Sequence, residues 1–460
     1  MQTISTRRVS GRAGRLRRTT LALLLIVAPA LLLVAGCDLD LTNPNSPTQE
    51  ATVTSAEGLM ALGVGLQARA SDAIGNHAYT AGLITDEAAA TINALINIRD
   101  AEVGTVSPGA GLVSDPWNSN YRTIKTANDI IQNAYGIENL SPGTRSGLVS
   151  MAYLFKAGSI LNLVQEFRQV SIQTLGTETP TFVDRATALA AAIELLDSAA
   201  TTYADTAPSA QFNSAVRSTS FDLQNTIFAY QARAYWLAAD YPSAVTAANK
   251  VSRTVFSRFT HTATALNRLF NLSTTGSSGA LPRDAVRLTA PAEYAATVTY
   301  HITPSTAVAG FNQPVDAYAN FSTAASSMPV YYPDEVLLIK AEALARQNQL
   351  APAQAALDSV RTDCPGLVAT DPNACMTALP AGLTQAQLLT EIYTMRRYEL
   401  FATGLRWEDA RRLGLVGAGS VAKRCWLPYS IGERNANPGN VPADPEGIDA
   451  PAFPANCSTT

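Results

Sequence analysis

One stretch of this chain occurs twice, and that repeat constrains the fold more than any other feature. Tyr230 to Val251 reads YQARAYWLAADYPSAVTAANKV, and Ile339 to Val360 reads IKAEALARQNQLAPAQAALDSV; the two align without a gap. Ala232 falls on Ala341, Ala234 on Ala343, Ala244 on Ala353, Ala247 on Ala356 and Val251 on Val360. Each copy reads as a helix, a short turn and a second helix. Pro242 and Pro352 sit near the start of the second helices, where a missing N–H costs little. Small alanines on both helices let antiparallel neighbours approach closely. Such a unit cannot bury its apolar face alone and must stack on others. Residues 147–168 and 184–203 form a third, more divergent pair.

The rest of the chain supplies those partners. Apolar residues at three- and four-residue spacing mark helices at 55–70, 119–134, 147–168, 184–203, 222–239, 243–255, 334–347, 351–361 and 385–402. Two regions differ. Residues 205–221 and 256–330 are rich in Ser, Thr, Gly and Pro, with β-branched runs such as Thr297-Val298-Thr299-Tyr300, and predict loops with short strands. The expectation is a mostly all-α chain of tetratricopeptide-like hairpins carrying one long irregular insertion, and such insertions often carry function.

The first 36 residues are set apart by charge. Six arginines up to Arg18 precede an apolar run from Leu21 to Val34 and then Ala35-Gly36-Cys37, the pattern of a signal peptide ending in a lipobox. The run is short for a membrane span of about 20 residues. Cys37 is the expected lipidation site. The domain plan is therefore a signal peptide over 1–36, an extended tether over 37–54, where Pro44 and Pro47 exclude helix, and one helical domain over 55–460. Without its first 36 residues the chain has 27 basic residues against 37 acidic ones. That balance argues against nucleic acid as a partner and leaves the lipid anchor as the membrane contact. Four further cysteines in an exported chain predict disulfides: Cys364 with Cys375 across one short stretch, and Cys425 with Cys457. No histidine lies near them in sequence, so a metal site is not expected.

Several segments, in order, resemble the SusD/RagB family of outer-membrane nutrient-binding lipoproteins. Asp38-Leu39-Asp40-Leu41-Thr42-Asn43-Pro44 follows the lipid cysteine, and Trp117-Asn118-Ser119-Asn120-Tyr121 looks like the family's first hairpin helix. Tyr332-Pro333-Asp334-Glu335-Val336-Leu337-Leu338 resembles its most recognisable helix. Arg396-Arg397-Tyr398-Glu399-Leu400, then Gly404 through Gly414, is similar to its C-terminal signature, and Leu427-Pro428, Glu433 and Asn437-Pro438 to its close. The resemblance implies a cell-surface, outer-membrane lipoprotein. It would bind a nutrient, an oligosaccharide in the first place, and deliver it to a TonB-dependent (SusC-like) outer-membrane transporter.

No Gly-x-Ser-x-Gly, His-Glu-x-x-His, Gly-x-x-x-x-Gly-Lys or dinucleotide glycine fingerprint occurs, so no catalytic residue and no cofactor is expected. His77, after Gly75-Asn76, is read as a loop hydrogen-bonder or a ligand contact. The charged cluster from Arg396 to Arg412 reads as an ion-pair lattice joining the last helices, because carboxylates held by arginines make poor proton donors. Trp117, Trp236, Trp407 and Trp426 fall in scaffold segments and are expected to be buried. The ligand contacts are then expected from the insertion, at Tyr294, Tyr300, Phe311 and Tyr318, joined by Asn93, Asn97, Arg99 and Asp100. Two other classes fit the same scaffold. A tetratricopeptide-type assembly factor would bind peptides or proteins, and a secreted hydrolase would lose turnover on loss of a carboxylate.

Overall fold

The computed structural model describes residues 52–173, 180–274, 279–305, 314–363, 374–417, 419–444, 446 and 457. Cys37, Phe311 and Cys364 lie outside the described residues, as do the signal segment and nearly all of the tether. The architecture is mostly helical. It opens with α1 (Ala56–Ile84), β1 (Ala88–Ala90), the short α2 (Ile96–Arg99), α3 (Gly111–Asn133) and α4 (Pro142–Glu166). Then follow α5 (Arg185–Asp205), α6 (Ala210–Ala215), α7 (Leu223–Leu237) and α8 (Tyr241–Ala248). Several starts are written in the sequence. Ser55, Ser141, Asp184, Asp222 and Asp240 each accept a hydrogen bond from a backbone N–H three residues on, filling one of the donors a helix start leaves open.

The insertion contributes β2 (Arg258–Phe259), α9 (Arg268–Thr274), β3 (Ala280–Pro282), α10 (Asp284–Leu288), α11 (Ala295–His301), β4 (Ile302–Thr303), β5 (Ala317–Tyr318) and β6 (Met328–Pro329). The chain closes with α12 (Pro333–Arg346), α13 (Leu350–Arg361), α14 (Gln385–Glu399), α15 (Leu405–Arg412) and α16 (Ile431–Ala436).

The repeat holds as three-dimensional structure. The hairpins α7–α8 and α12–α13 turn through left-handed residues at the aligned positions, Ala239 and Asn348, both with φ 58°. The turn bonds match as well: Ala239 N donates to Trp236 O and Asp240 N to Tyr235 O, while Asn348 N donates to Ala345 O and Gln349 N to Leu344 O. The helices stack in series, α3 on α4, α4 on α5, α5 on α7, α8 on α12 and α12 on α14. Their shared core is continuous from Leu59 to Tyr429. α4 is apolar and long enough to cross a bilayer but is buried inside the domain as its central helix. Gly158 on α4 makes room for the Tyr230 ring, since a Cβ there would lie 2.8 Å from it.

Five expectations need correction. The first helix runs on to Ile84, and His77 lies within it: its Nδ1 pairs with Glu166 at 2.9 Å, and Gly404 (φ 89°) passes so close that a Cβ would meet the ring at 2.3 Å. α14 stops at Glu399 instead of running to residue 402, and Gly404 precedes α15. α8 ends at Ala248, releasing the chain toward β2 well before residue 255. Residues 205–221 include α6, which begins on the Ser209 side chain and seats Phe212 in the core. Thr297-Val298-Thr299-Tyr300 is helical, because Thr297 and Val298 are buried and the Thr297 hydroxyl donates to the Glu399 carboxyl at 2.8 Å; tertiary contacts override β propensity.

The charged cluster is a buried lattice. Arg412 bonds Glu342 and Asp409, Arg396 bonds Asp409, Arg411 and Arg185 both bond Glu408, and Arg233 grips Glu335 through two bonds of 2.6 and 2.7 Å. Arg396 and Arg412 stack on the Trp236 ring at 4.5 and 4.2 Å, and Arg411 lies against Trp407 and Trp426. All four tryptophans are buried. Burial alone would raise the Glu342 and Glu408 carboxyls. The guanidiniums (Arg412 at Glu342, Arg185 and Arg411 at Glu408) instead hold both down to about 2. Cys425 is bonded to Cys457, and Cys375 is also disulfide-bonded.

Candidate ligand-binding cleft

Two very short ribbons bring three separated stretches of the insertion to one place. β2 pairs antiparallel with β6, setting Arg258 opposite Pro329 and Phe259 opposite Met328. β4 pairs antiparallel with β5, setting Ile302 opposite Tyr318, and Ala319 N donates to His301 O at 2.8 Å. Tyr331 closes the junction, its hydroxyl donating to Val255 O. Between the ribbons lies an open cleft of 380 Å³.

Its lining is aromatic and polar without being acidic. Phe256 stacks on Tyr332 with centroids 5.1 Å apart, the Arg258 guanidinium lies 5.5 Å over the Phe256 ring, and Tyr300 meets Tyr332 edge-on at 6.4 Å. Phe256, Arg258 and Tyr300 are half-buried, whereas Tyr332 and Phe321 are buried as the floor. Asn320 and Ser327 complete the polar wall. No Asp, Glu or His is among the described lining residues.

Asn320 is held from behind. Its Nδ2 donates to His301 Nδ1 at 3.2 Å, and His301 Nε2 donates to Glu399 O at 3.2 Å, which fixes the neutral tautomer. Burial drives the His301 imidazole down to about 3, so it stays neutral across the physiological range. With Nδ2 committed, Asn320 Oδ1 is left buried and unmatched by any hydrogen bond within the described chain. Among the described residues, no group of three His, Cys, Asp or Glu is placed to hold a metal ion.

The expected contact residues separate into three groups. Tyr300 lines the cleft. Tyr294 and Tyr318 are core residues, 1% and 7% exposed: Tyr294 packs on Tyr398 at 4.6 Å and Tyr318 on Phe321 and Phe401. Their rings lie inside the fold because α11 and β5 turn them toward α14 and Phe401. Asn93 is exposed and Asn97, Arg99 and Asp100 are half-buried around α2, none of them lining the cleft. Sequence reading missed Phe256, Arg258, Asn320 and Ser327 as partners of Tyr300. Only the crowding of aromatic and polar residues around 318–321 signalled any of them.

The fold is a stacked-hairpin helical frame that carries an aromatic cleft on an insertion. The SusD family model matches residues 293–442, which contain both C-terminal signature segments. Solved structures share the fold over nearly their full length. A SusD superfamily protein from Bacteroides fragilis matches with TM-score 0.65 at 16% identity, covering 84% of this chain and 98% of that one. A laminarin-binding SusD-like protein matches with TM-score 0.65 at 16% identity, covering 85% and 98%. A SusD-like carbohydrate-binding protein from Bacteroides vulgatus matches with TM-score 0.60 at 15% identity, covering 78% and 84%. No curated protein matches in sequence. Over residues 293–442 the chain is thus similar to the SusD family, and over most of its length it shares the fold of the solved SusD-superfamily structures.

Proposed function

We propose that this protein is a non-enzymatic, lipid-anchored lipoprotein of the outer-membrane surface that binds an oligosaccharide in the Tyr300 cleft. It delivers that ligand to a SusC-like, TonB-dependent outer-membrane transporter. One observation carries the binding step: two half-buried aromatic rings, Phe256 and Tyr300, share an open cleft with Arg258 and Asn320. Aromatic faces pack against the C–H faces of sugar rings, while the guanidinium and the amide address hydroxyls. Glycoside hydrolysis uses two carboxyl groups about 5–10 Å apart across the bond, and the described lining offers neither. The SusD-like structural relatives that bind laminarin or carbohydrate support the ligand class. The run of small residues before Cys37 supports the anchor, and the SusD family match over residues 293–442 the surface location.

The test is calorimetric titration with a glycan panel that includes laminari-oligosaccharides. It expects one class to bind without release of reducing ends, and weaker binding by the Phe256→Ala and Tyr300→Ala variants. Unchanged affinity in the double variant would move the site, and released sugar would make the protein an enzyme. Cys37→Ser should free the protein from membranes. Wild-type protein should bring a large β-barrel with it when purified from membranes.

A further inference from the structure

A second groove, of 640 Å³ against the cleft's 380 Å³, lies on the helical frame and shares no lining residue with the cleft. Leu189 and Ile193 of α5 form one wall, and Leu237 and Tyr241, flanking the strained α7–α8 turn, form the other. Arg185, Arg346 and Arg412 stand at one end with Glu408. Among the described residues, no Asn, Gln, Ser, Thr or Asp lines this groove, whose polar groups are instead concentrated in the arginines and Glu408.

The five guanidiniums of Arg185, Arg346, Arg396, Arg411 and Arg412 share ion pairs with three carboxylates, Glu342, Glu408 and Asp409. That cluster sits on a chain whose sequence beyond residue 36 is acidic. Two donors are available. Arg346 is one-third exposed and makes a single hydrogen bond, of 3.4 Å, to a Glu342 carboxylate already taken by Arg412 and Trp236. Arg412 Nε is buried without a partner. From Arg185 to Ile193 the α5 wall is about 12 Å long at 1.5 Å per residue. That length seats about three or four residues of extended chain, whose side chains alternate between the two walls.

We propose that this groove receives the carboxyl-terminal end of an extended peptide, its carboxylate held by Arg346 and Arg412 and its apolar side chains by α5 and the α7–α8 turn. Frame and insertion then hold different ligands, and this site does not depend on the cleft's being a glycan site. The probe is the tetrapeptide acetyl-Leu-Ala-Ile-Leu with a free carboxyl terminus, compared with its carboxamide and titrated into the purified protein while tryptophan fluorescence is followed. Saturable binding of the acid, with the amide at least tenfold weaker, is the expected result. Arg346→Gln should cut affinity for the acid at least fivefold and leave the amide unchanged, while Phe256→Ala alters neither. No saturable binding, equal affinity for acid and amide, or full binding by Arg346→Gln would overturn the assignment. So would displacement of the peptide by an oligogalacturonate, which would make the ligand an acidic glycan.

Discussion

Buried carboxyl groups are treated in opposite ways in the arginine lattice of the frame and beneath the insertion. In the frame, Glu342 and Glu408 are surrounded by guanidiniums and held to about 2, so they stay ionised. Beneath the insertion, burial outweighs every neighbour. The Glu87 carboxyl, one residue before β1, is pushed up to about 8, and Asp334, two residues past Tyr332, to about 7. Burial with the Asp334 charge nearby also raises Glu399, which receives the Thr297 hydroxyl bond. The frame is locked by charge pairs, whereas the insertion is seated on acids that remain neutral only while protonated. Acid should therefore attack the frame, and alkali the seat of the cleft.

The largest effect expected from breaking this contrast is in the frame. Glu408→Ala leaves Arg185 and Arg411 buried without their carboxylate, and should cost about 3–5 kcal/mol in urea unfolding. With Glu342 and Glu408 depressed from 4.5, the unfolded chain takes up protons first as pH falls. Their contribution is full above about pH 4.5 and is lost toward pH 2, which a stability–pH series should show.

The opposite sign applies to Glu87. Its folded form keeps the proton from 4.5 up to about 8 while the unfolded chain gives it up, so its contribution to stability declines as pH rises through that window. Glu87→Gln should remove that decline, raising the unfolding midpoint more at pH 8 than at pH 5; an equal shift at both would refute the neutral seat.

Phe256→Ala and Tyr300→Ala should each cost about 0.5–1.5 kcal/mol of glycan affinity, two- to twelvefold, with little change in global unfolding. Smallest is Ala239→Gly. A left-handed alanine costs about 1–2 kcal/mol, of which the extra chain entropy of glycine returns about 0.5–1, so a net gain of a few tenths to about 1 kcal/mol is expected in thermal unfolding.

The same division marks what the sequence disclosed. Helix periodicity, the repeated hairpin, the buried tryptophans and the arginine–carboxylate lattice were legible because each rests on spacing within one segment or on charges that need partners. The insertion was harder to read. Two-residue ribbons such as Arg258–Phe259 on Met328–Pro329 leave no period to detect, and the cleft joins side chains from positions 256, 300 and 320 that only tertiary pairing brings together. Tyr294 and Tyr318 have the same composition signal as Tyr300. What separates them is the direction their backbone faces, set by α11 and β5 packing on α14 and Phe401.

The most direct test of that division is backbone hydrogen exchange with and without saturating oligosaccharide. Added protection should be confined to residues 255–259, 300–305 and 319–332, with α5, α7 and α8 unchanged. Protection centred on the stacked hairpins, with the ribbons unaffected, would contradict the assignment of the cargo to the insertion.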